Sequence, residues 1–398
     1  MINNQNKIIN LNTDLIDREE QLDGLRGVAA LIVMNSHFIC AFFPYLNSKF
    51  FPEIFSDSDN LNILIRFLQS PILSIISNGH AAVCVFFVLS GHVLSISFHK
   101  KKLDKLFKTL FGRYLRLNIP TAFVTCISLL FSELNLYKNS IVAGLSNSNW
   151  MDYWYREDQM NILNAFNSSL YKGILYGDDN FIPPLWTIKI EFLASILLLS
   201  YLIFTFKKDQ KLTLPLFLIF LTFVFKNEAL YYYLFVAGAF LKLIPNLKKS
   251  YCYPLAIVSL YFISFQNSFH YEIFSEIQYA FPERILYHGI GSILLVYCIR
   301  QGFLNKYLKS RMNLFLGKIS FSLYLIHHLI LCSLISYLYV EFDESIYSFV
   351  FLYFFYISSS ILLSFFILNK VDNFGIKLSK KISFRILNFL KINLRMRL

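Results

Sequence analysis

Side chains that carry charge are scarce in this sequence. Only 16% of its 398 residues are Asp, Glu, Lys or Arg, whereas 56% are hydrophobic, and the mean hydropathy is +0.51. Several apolar runs reach about 18 residues, the length that a helix needs to cross a bilayer. This composition excludes a water-soluble globular protein and predicts an all-α, polytopic membrane protein.

Signals of several other protein classes are lacking as well. The sequence contains no internal repeat, no glycine-rich phosphate loop and no cleavable signal, since residues 1–21 are polar. The six cysteines lie singly in apolar runs, so neither a disulfide framework nor a zinc cluster is indicated. We therefore expect no metal and no tightly bound cofactor.

The apolar runs predict ten membrane spans, and the charges between them predict the orientation. With the N-terminus inside, the cytoplasmic segments contain 28 Lys and Arg and the outside loops contain 7. Because cytoplasmic loops carry an excess of these residues, both termini are predicted to be cytoplasmic. The net charge of +12 is then mostly an orientation signal and not a nucleic-acid footprint. The predicted spans are 25–45, 71–98, 113–134, 182–206, 212–226, 230–247, 251–267, 283–300, 313–338 and 347–369.

The spans divide the chain into three predicted parts. A cytoplasmic tail (1–21) precedes a transmembrane domain (22–370), and a basic cytoplasmic tail (371–398) follows it. Membrane lipids are expected partners, because the basic tail can rest on anionic headgroups.

Two longer loops, 46–70 and 135–181, are predicted outside the membrane. They are rich in Asn, Ser, Asp, Tyr and Trp, as in the run NSNWMDYWYRED. Aromatic rings beside carboxylates and amides suit sugar binding, and they equally suit an interfacial aromatic belt. His80, near the outer end of the second span, has the same two interpretations.

The run LDGLRGVAALIVMNSHF (22–38) places two ionisable side chains in an apolar stretch. Arg26 and His37 are eleven positions apart, so a helix brings them to within roughly 20° of one face and about 16 Å apart along its axis. Polar groups at such depth are costly in a bilayer, which makes this face a candidate functional site.

Three polar residues from three spans are predicted to lie at one depth. His37 is roughly 18 Å and His327 roughly 21 Å from the inner face, at 1.5 Å per residue. Glu191 lies in a span that the chain enters from the outer face, and it is about 16 Å from the inner face of a 30 Å core. We expect these three side chains to lie close together.

Each candidate also has a structural interpretation. A histidine in a membrane helix can simply bond to a neighbouring helix, and we prefer this interpretation for His328. Arg26 can anchor at headgroups, Arg113 and Arg116 can be ordinary positive-inside residues, and residues 90–91 can be a small-residue packing patch.

Taken together, these motifs resemble the acyltransferase 3 family of integral-membrane enzymes, which O-acylate glycans such as lipopolysaccharide, exopolysaccharide and peptidoglycan. The resemblance extends over approximately residues 20–370. One departure is His92, which follows FFVLSG where many relatives have a small or apolar residue, and whose role is not assigned. The motifs are Arg26 and His37 with ten residues between them, FFVLSG (86–91), Arg113 and Arg116 before Pro120, LWTIKIEF with Glu191 and Phe192, and ISFSLYLIHH with Tyr324 and His327.

The resemblance implies acyl transfer from cytoplasmic acyl-CoA, usually acetyl-CoA, to a glycan or lipid-linked glycan outside the inner (cytoplasmic) membrane. It implies His37 as general base, because an imidazole titrates near neutral pH. Glu191 is then expected to orient His37, and Ser90 is the one candidate for an acyl-enzyme nucleophile. The implied catalytic residues are His37, Glu191 and His327; the donor-binding residues are Arg26, Ser90, Gly91, Arg113 and Arg116; the acceptor-binding residues are His80, Trp186 and Tyr324.

A transporter or flippase is the main alternative, because intramembrane His, Glu and Arg also form ion pathways. The sequence disfavours this alternative, because it contains neither the internal repeats nor the paired, interrupted membrane helices that are typical of transporters.

Overall fold

A computed structural model describes residues 19–47, 67–266, 282–342 and 345–393, together with positions 51 and 271. Most of the predicted loop 46–70 and most of the N-terminal tail lie outside the described residues. Within the described ranges the secondary structure is helical, without any strand, which confirms the all-α class.

The principal helices are numbered here in chain order. The polypeptide of α9 continues through a π-helical turn (Leu331–Ile335) into a further helical segment (Ser336–Glu341). The helices are α1 (Glu20–Phe42), α2 (Gly79–His99), α3 (Leu103–Glu133), α4 (Leu185–Phe204), α5 (Gln210–Phe225), α6 (Ala229–Phe240), α7 (Lys249–Ile263), α8 (Glu283–Arg300), α9 (Arg311–Ile330), α10 (Ile346–Ile367) and α11 (Asn373–Asn393).

The helices account for all the predicted spans. Each of the ten spans overlaps one of α1 to α10. Seven helical stretches in the described parts of the chain are long and apolar enough to cross a membrane: α1 to α4, α5 joined with α6, α9, and α10 joined with α11. Helices α7 and α8 are not among them. The number of ten crossings and the cytoplasmic position of both termini stay predictions.

Two helix starts differ from the predicted span ends. Helix α3 begins at Leu103, ten residues before the predicted span, because its lysine-rich first turns are good helix formers and Asp104 favours the positive helix end. Helix α2 begins later than predicted, at Gly79. There the Asn78 side chain caps the helix by accepting from the Ala81 N–H.

Close contact between α1 and α9 sets the centre of the fold. A Cβ added at Gly27 would lie 2.6 Å from the Gly317 nitrogen, and one added at Gly317 would lie 2.1 Å from the Asp23 carbonyl oxygen. Only glycine permits such an approach of two backbones. The helices consequently run side by side up to His37 and His327.

The 135–181 loop folds over the ends of α1 and α9. The Lys138 N–H donates to the Cys332 carbonyl (3.1 Å), and the Ser148 hydroxyl donates to the Cys40 carbonyl (2.6 Å). These bonds hold a short helix, Asn149–Asp152, against the histidines of both principal helices. The other short helical segments of the loop are Asn139–Ser146, Glu157–Gln159, Ile162–Asn167 and Ser168–Tyr176.

Helix α11, within the predicted C-terminal tail, packs along α3. Lys391 pairs with Asp104 at 2.6 Å, and Asp372 pairs with Arg116. The described part of the tail, up to residue 393, is therefore helical and packs on the protein itself.

Candidate active site

Three cavities share lining residues and lie in series through the helices. A wide vestibule of about 1310 Å³ lies between the first turns of α3 and helix α11. Arg113 and Arg116 line both this vestibule and a smaller cavity of about 220 Å³, the inner chamber. The polar residues around the inner chamber are Arg26, Ser90, Arg113, Arg116, Thr187, Glu191, Ser320 and Tyr324.

The third cavity, the outer chamber, has a volume of about 330 Å³ and meets the inner chamber at Val83 and Tyr324. Arg26 lines the inner chamber and His37 the outer one, so one face of α1 serves both. The residues of the outer chamber used below are His37, Cys40, His80, Trp150, Trp154, Asp179, Trp186, Arg284, Tyr324 and His328.

A pair of histidines joins α1 to α9 at the outer chamber. His37 Nδ1 lies 2.8 Å from His327 Nε2, and the two rings stack with centroids 5.0 Å apart. His327 Nδ1 lies 2.9 Å from the Leu323 carbonyl oxygen. A carbonyl oxygen only accepts, so His327 Nδ1 carries the proton and donates to it.

This bond determines the protonation of both neutral rings. His327 Nε2 is left as an acceptor, so the N–H at His37 Nδ1 donates to it. The remaining nitrogen of His37, Nε2, then has a free lone pair. His327 is 1% exposed, whereas His37 retains contact with the chamber. The pair therefore presents one basic nitrogen to a ligand.

Aromatic rings from the 135–181 loop line the chamber around these histidines. The ring of Trp150 lies 5.4 Å from that of His37, and Trp154 lies 5.2 Å from His328. Among the described residues, His328 Nε2 and Trp154 Nε1 are buried without a hydrogen-bond partner. Buried ring N–H and N groups usually have partners, so these two are available to a ligand. The loop aromatics thus line the site and are not confined to an outer belt.

A second histidine pair lies at another wall of the outer chamber. His80 Nδ1 is 2.7 Å from His288 Nδ1, and His80 Nε2 is 2.8 Å from the Tyr231 hydroxyl. His288 was not among the residues predicted from the sequence. Its spacing of four from Arg284 places both on one face of α8, and that spacing was the available signal.

Ion pairs hold the guanidinium groups of the inner chamber. Arg113 bonds to the Glu191 carboxylate, and its Nε donates to the Ser195 hydroxyl at 2.8 Å. Arg116 bonds to Asp372. Arg26 has no ion pair or hydrogen bond from its side chain within the described residues.

The contacts of Glu191 correct one expectation from the sequence. Glu191 bonds to Arg113 in the inner chamber, and the group that bonds to His37 is the His327 ring. The predicted common depth thus brings two of the three residues together. Depth along a helix leaves the rotation of α4 undetermined, and this rotation turns Glu191 toward α3.

Gly91 also differs from its predicted position at the donor. A Cβ added there would lie 2.0 Å from the Phe235 carbonyl oxygen, so Gly91 is a contact between α2 and α6 and does not line the inner chamber. Its neighbour Ser90 does line it. His92, whose role was open, has its Nε2 3.1 Å from the Glu19 carboxylate.

The capacity of the chambers to bind ligands follows from these groups. In the outer chamber, burial raises the pKa of the Asp179 carboxyl, and the nearby charge of Asp178 raises it further. Carboxylate and indole groups together suit the hydroxyls and apolar faces of a sugar.

No group of three metal-ligating side chains occurs within the described ranges.

Comparison with known proteins identifies the class. The model of a family described as an acyltransferase domain matches residues 19–369. O-acetyltransferase PaAT-1 of Phomopsis amygdali is 26% identical over an alignment of 212 residues, which covers 46% of this chain and 39% of that protein. The matched segment thus spans about two fifths of the relative's length. No solved structure matches. Because the family match extends from the start of α1 through α10 and takes in both chambers, the chain belongs to the acyltransferase 3 family.

Proposed function

We propose that this protein transfers an acetyl group from cytoplasmic acetyl-CoA to a hydroxyl of a glycan or lipid-linked glycan outside the inner membrane. The observation that carries the proposal is the series of cavities, in which a cationic vestibule leads through Tyr324 to the basic nitrogen of His37. The name of the relative, an O-acetyltransferase, supports acetyl as the acyl group and a hydroxyl as its acceptor.

The cations of the vestibule favour a polyphosphorylated donor. Phosphate groups bind Lys and Arg through charge-assisted hydrogen bonds, and a fork-shaped guanidinium can bind them in bidentate fashion. Coenzyme A would place its phosphates here and its thioester in the inner chamber beside Arg26. The cations of the vestibule are Lys101, Lys102, Lys105, Lys108, Arg113, Arg116, Lys207, Lys380, Lys381 and Arg385.

Transfer then needs a base for the acceptor hydroxyl. His37 Nε2 takes the hydroxyl proton while the oxygen attacks the thioester carbonyl carbon. The C–S bond breaks, and the imidazolium returns the proton to the leaving thiolate. The products are an ester and free coenzyme A, and no acyl-enzyme is required.

His327 acts as a positioning residue in this scheme. By accepting from His37 Nδ1–H, it fixes the ring orientation and stabilises the imidazolium that forms, as a carboxylate does in a serine-hydrolase triad. Its own tautomer is fixed in turn by the Leu323 carbonyl.

The acceptor enters from the outer chamber. The walls of Trp150, Trp154 and Trp186 offer apolar ring faces, and His80 lies beside them. The Tyr324 hydroxyl, 2.7 Å from the Thr187 hydroxyl, lies at the junction where acceptor and thioester meet. Thr187 donates to the Pro184 carbonyl, so the Tyr324 hydroxyl donates to Thr187 and would turn from it to polarise the thioester carbonyl.

The test uses purified protein in vesicles with labelled acetyl-CoA and glycans extracted from the native membrane. We expect the glycan to gain one acetyl mass, with free thiol released in equal amount. Uptake of glycan into the vesicles without any acetyl gain would contradict the proposal and favour a transporter.

A further inference from the structure

Arg284 stands apart from the residues used so far. It is the second residue of α8 and lines the outer chamber together with His37 and His80. Its Nη1 atom is buried without a hydrogen-bond partner in the described part of the chain. An unpaired cation in such surroundings is costly and is rarely kept without a function.

Within the described residues Arg26, at the inner chamber, also lacks a partner, but the three other partly buried arginines are paired. Arg113, Arg116 and Arg300 bond to Glu191, Asp372 and Glu19.

The titratable neighbours that interact electrostatically with Arg284 are Tyr231, Cys40 and Cys84. A phenol and two thiols are mostly neutral at pH 7. No carboxylate of the described residues therefore neutralises this guanidinium.

The surroundings of Arg284 place it on the acceptor's side of the base. Cys40 follows His37 by three residues, about one helical turn farther along α1 from Arg26. Arg284 interacts with this later turn and lines only the outer of the two chambers. The donor's phosphates would bind at the other end of the site and so do not account for Arg284. The Asp179 carboxyl lines the same chamber but is not among the groups that interact with Arg284, which leaves this guanidinium available to a different anion.

We propose that the outer chamber binds an anionic acceptor, whose carboxylate or phosphate group pairs with Arg284 beside the hydroxyl that is acylated. The proposal rests on the proposed function for the role of this ligand as acceptor. A bound anion would also neutralise the charge of Arg284 before His37 takes up a proton. Acid sugars and sugar phosphates share the required chemistry, and the experiment separates them.

The tryptophans of the chain provide the assay. The sequence contains three, and all three line the outer chamber. Intrinsic fluorescence of the protein in nanodiscs therefore reports ligands in this chamber. The probes are methyl β-D-glucuronide, glucose 6-phosphate and neutral methyl β-D-glucoside, each titrated without donor.

We expect at least one anionic probe to bind about tenfold or more tightly than the neutral one, as one charged hydrogen bond permits. Arg284→Gln should reduce this ratio to near one, while His37→Gln and the exposed-loop control Arg156→Gln should preserve it. The probe that shows the preference identifies carboxylate or phosphate.

Equal binding of all three probes to the wild type, or a ratio that survives Arg284→Gln, would overturn the proposal. Thermal unfolding checks the variant: Arg284→Gln should melt no lower than the wild type, since it removes an unpaired cation. If Arg284→Gln does not fold, Arg284→Lys provides the test. This variant retains the positive charge, so it must also retain the preference for the anionic probe.

Anion preference without acetyl transfer would contradict only the proposed function. Transfer to neutral sugars with equal efficiency would contradict only the anionic acceptor.

Discussion

The inner and outer chambers adjoin at Tyr324 but differ in their polar groups. The inner chamber holds guanidinium groups, with Arg113 and Arg116 each bonded to a carboxylate. The outer chamber holds indole rings, hydrogen-bonded imidazole rings and the cation Arg284. A nearby cation disfavours protonation of an imidazole, so the separation keeps the phosphate-binding arginines away from the base, and in our proposal the acceptor's anion neutralises Arg284.

The largest expected effect tests the outer half of this comparison. His37→Gln should lower acyl transfer by about 10²–10⁴-fold, the usual contribution of a positioned base, because an amide cannot accept a proton at neutral pH. Donor binding, measured by labelled acetyl-CoA retention, should stay unchanged.

The matched control is His99→Gln, whose ring bonds to the Ala239 carbonyl away from both chambers. It should transfer at the native rate. A native rate in His37→Gln would make His37 structural, and His327 would become the candidate base.

The next effect tests the inner half. Arg113→Ala should weaken donor binding by about 1.5–3 kcal/mol through loss of a charged hydrogen bond. Glu191→Gln should weaken it less, because the amide still accepts from Arg113 but no longer fixes it as an ion pair. The pH profile of transfer should keep its shape in both variants. The control Glu228→Gln removes an exposed ion pair with Lys189 and should leave donor affinity unchanged.

The same pair of variants decides whether Glu191 belongs to the inner chamber in function as well as in position. A shifted pH profile in Glu191→Gln, with donor affinity intact, would link the carboxylate to His37 as the sequence had suggested.

The sequence was most informative where a helix repeats regularly. Eleven residues on one helix put Arg26 and His37 on a common face, and the structure has both lining the chambers on that face. The comparison of depths was right for His37 and His327, because close contacts at glycine residues align α1 with α9. It failed for Glu191, since depth leaves the rotation of α4 undetermined.

Residues that depend on loops or long-range packing escaped prediction. Trp150 reaches His37 only because the 135–181 loop folds inward, and Asp372 reaches Arg116 only because the chain turns back into α11. Arg284 and His288 were missed for a different reason. No motif singled out their helix in the sequence, although their spacing of four places them on one face of it.

A smaller effect separates packing residues from chamber residues on α2. Gly91→Ala should lower the free energy of unfolding by about 1–3 kcal/mol, because the new methyl group meets the Phe235 backbone. Donor affinity of the folded fraction should not change, since Gly91 does not line the inner chamber. Thermal unfolding in detergent measures the first effect, and donor titration measures the second.

Gly144→Ala is the control, because a Cβ there would meet nothing within 4 Å. Native stability in Gly91→Ala together with weaker donor binding would return Gly91 to the donor site.

The smallest expected effect lies outside both chambers, where Glu19 pairs with His92 and Arg300 at 3.1 and 3.3 Å. Burial raises the pKa of Glu19, but the hydrogen bond to His92 and the charges of His92 and Arg300 outweigh it, and the pKa is lowered. A carboxyl with a lowered pKa stabilises the fold above its unfolded pKa, and this contribution is lost as the pH falls. Glu19→Gln should therefore lower the free energy of unfolding at pH 7 by roughly 0.5–1 kcal/mol, as expected for a partly exposed ion pair. Its melting temperature should fall accordingly. The difference should shrink as the pH falls below the ordinary range of a glutamate carboxyl, while the exposed neighbour Glu20→Gln should show no difference at pH 7. A difference that persists unchanged as the carboxyl is protonated would show that shape, and not charge, makes Glu19 stabilising.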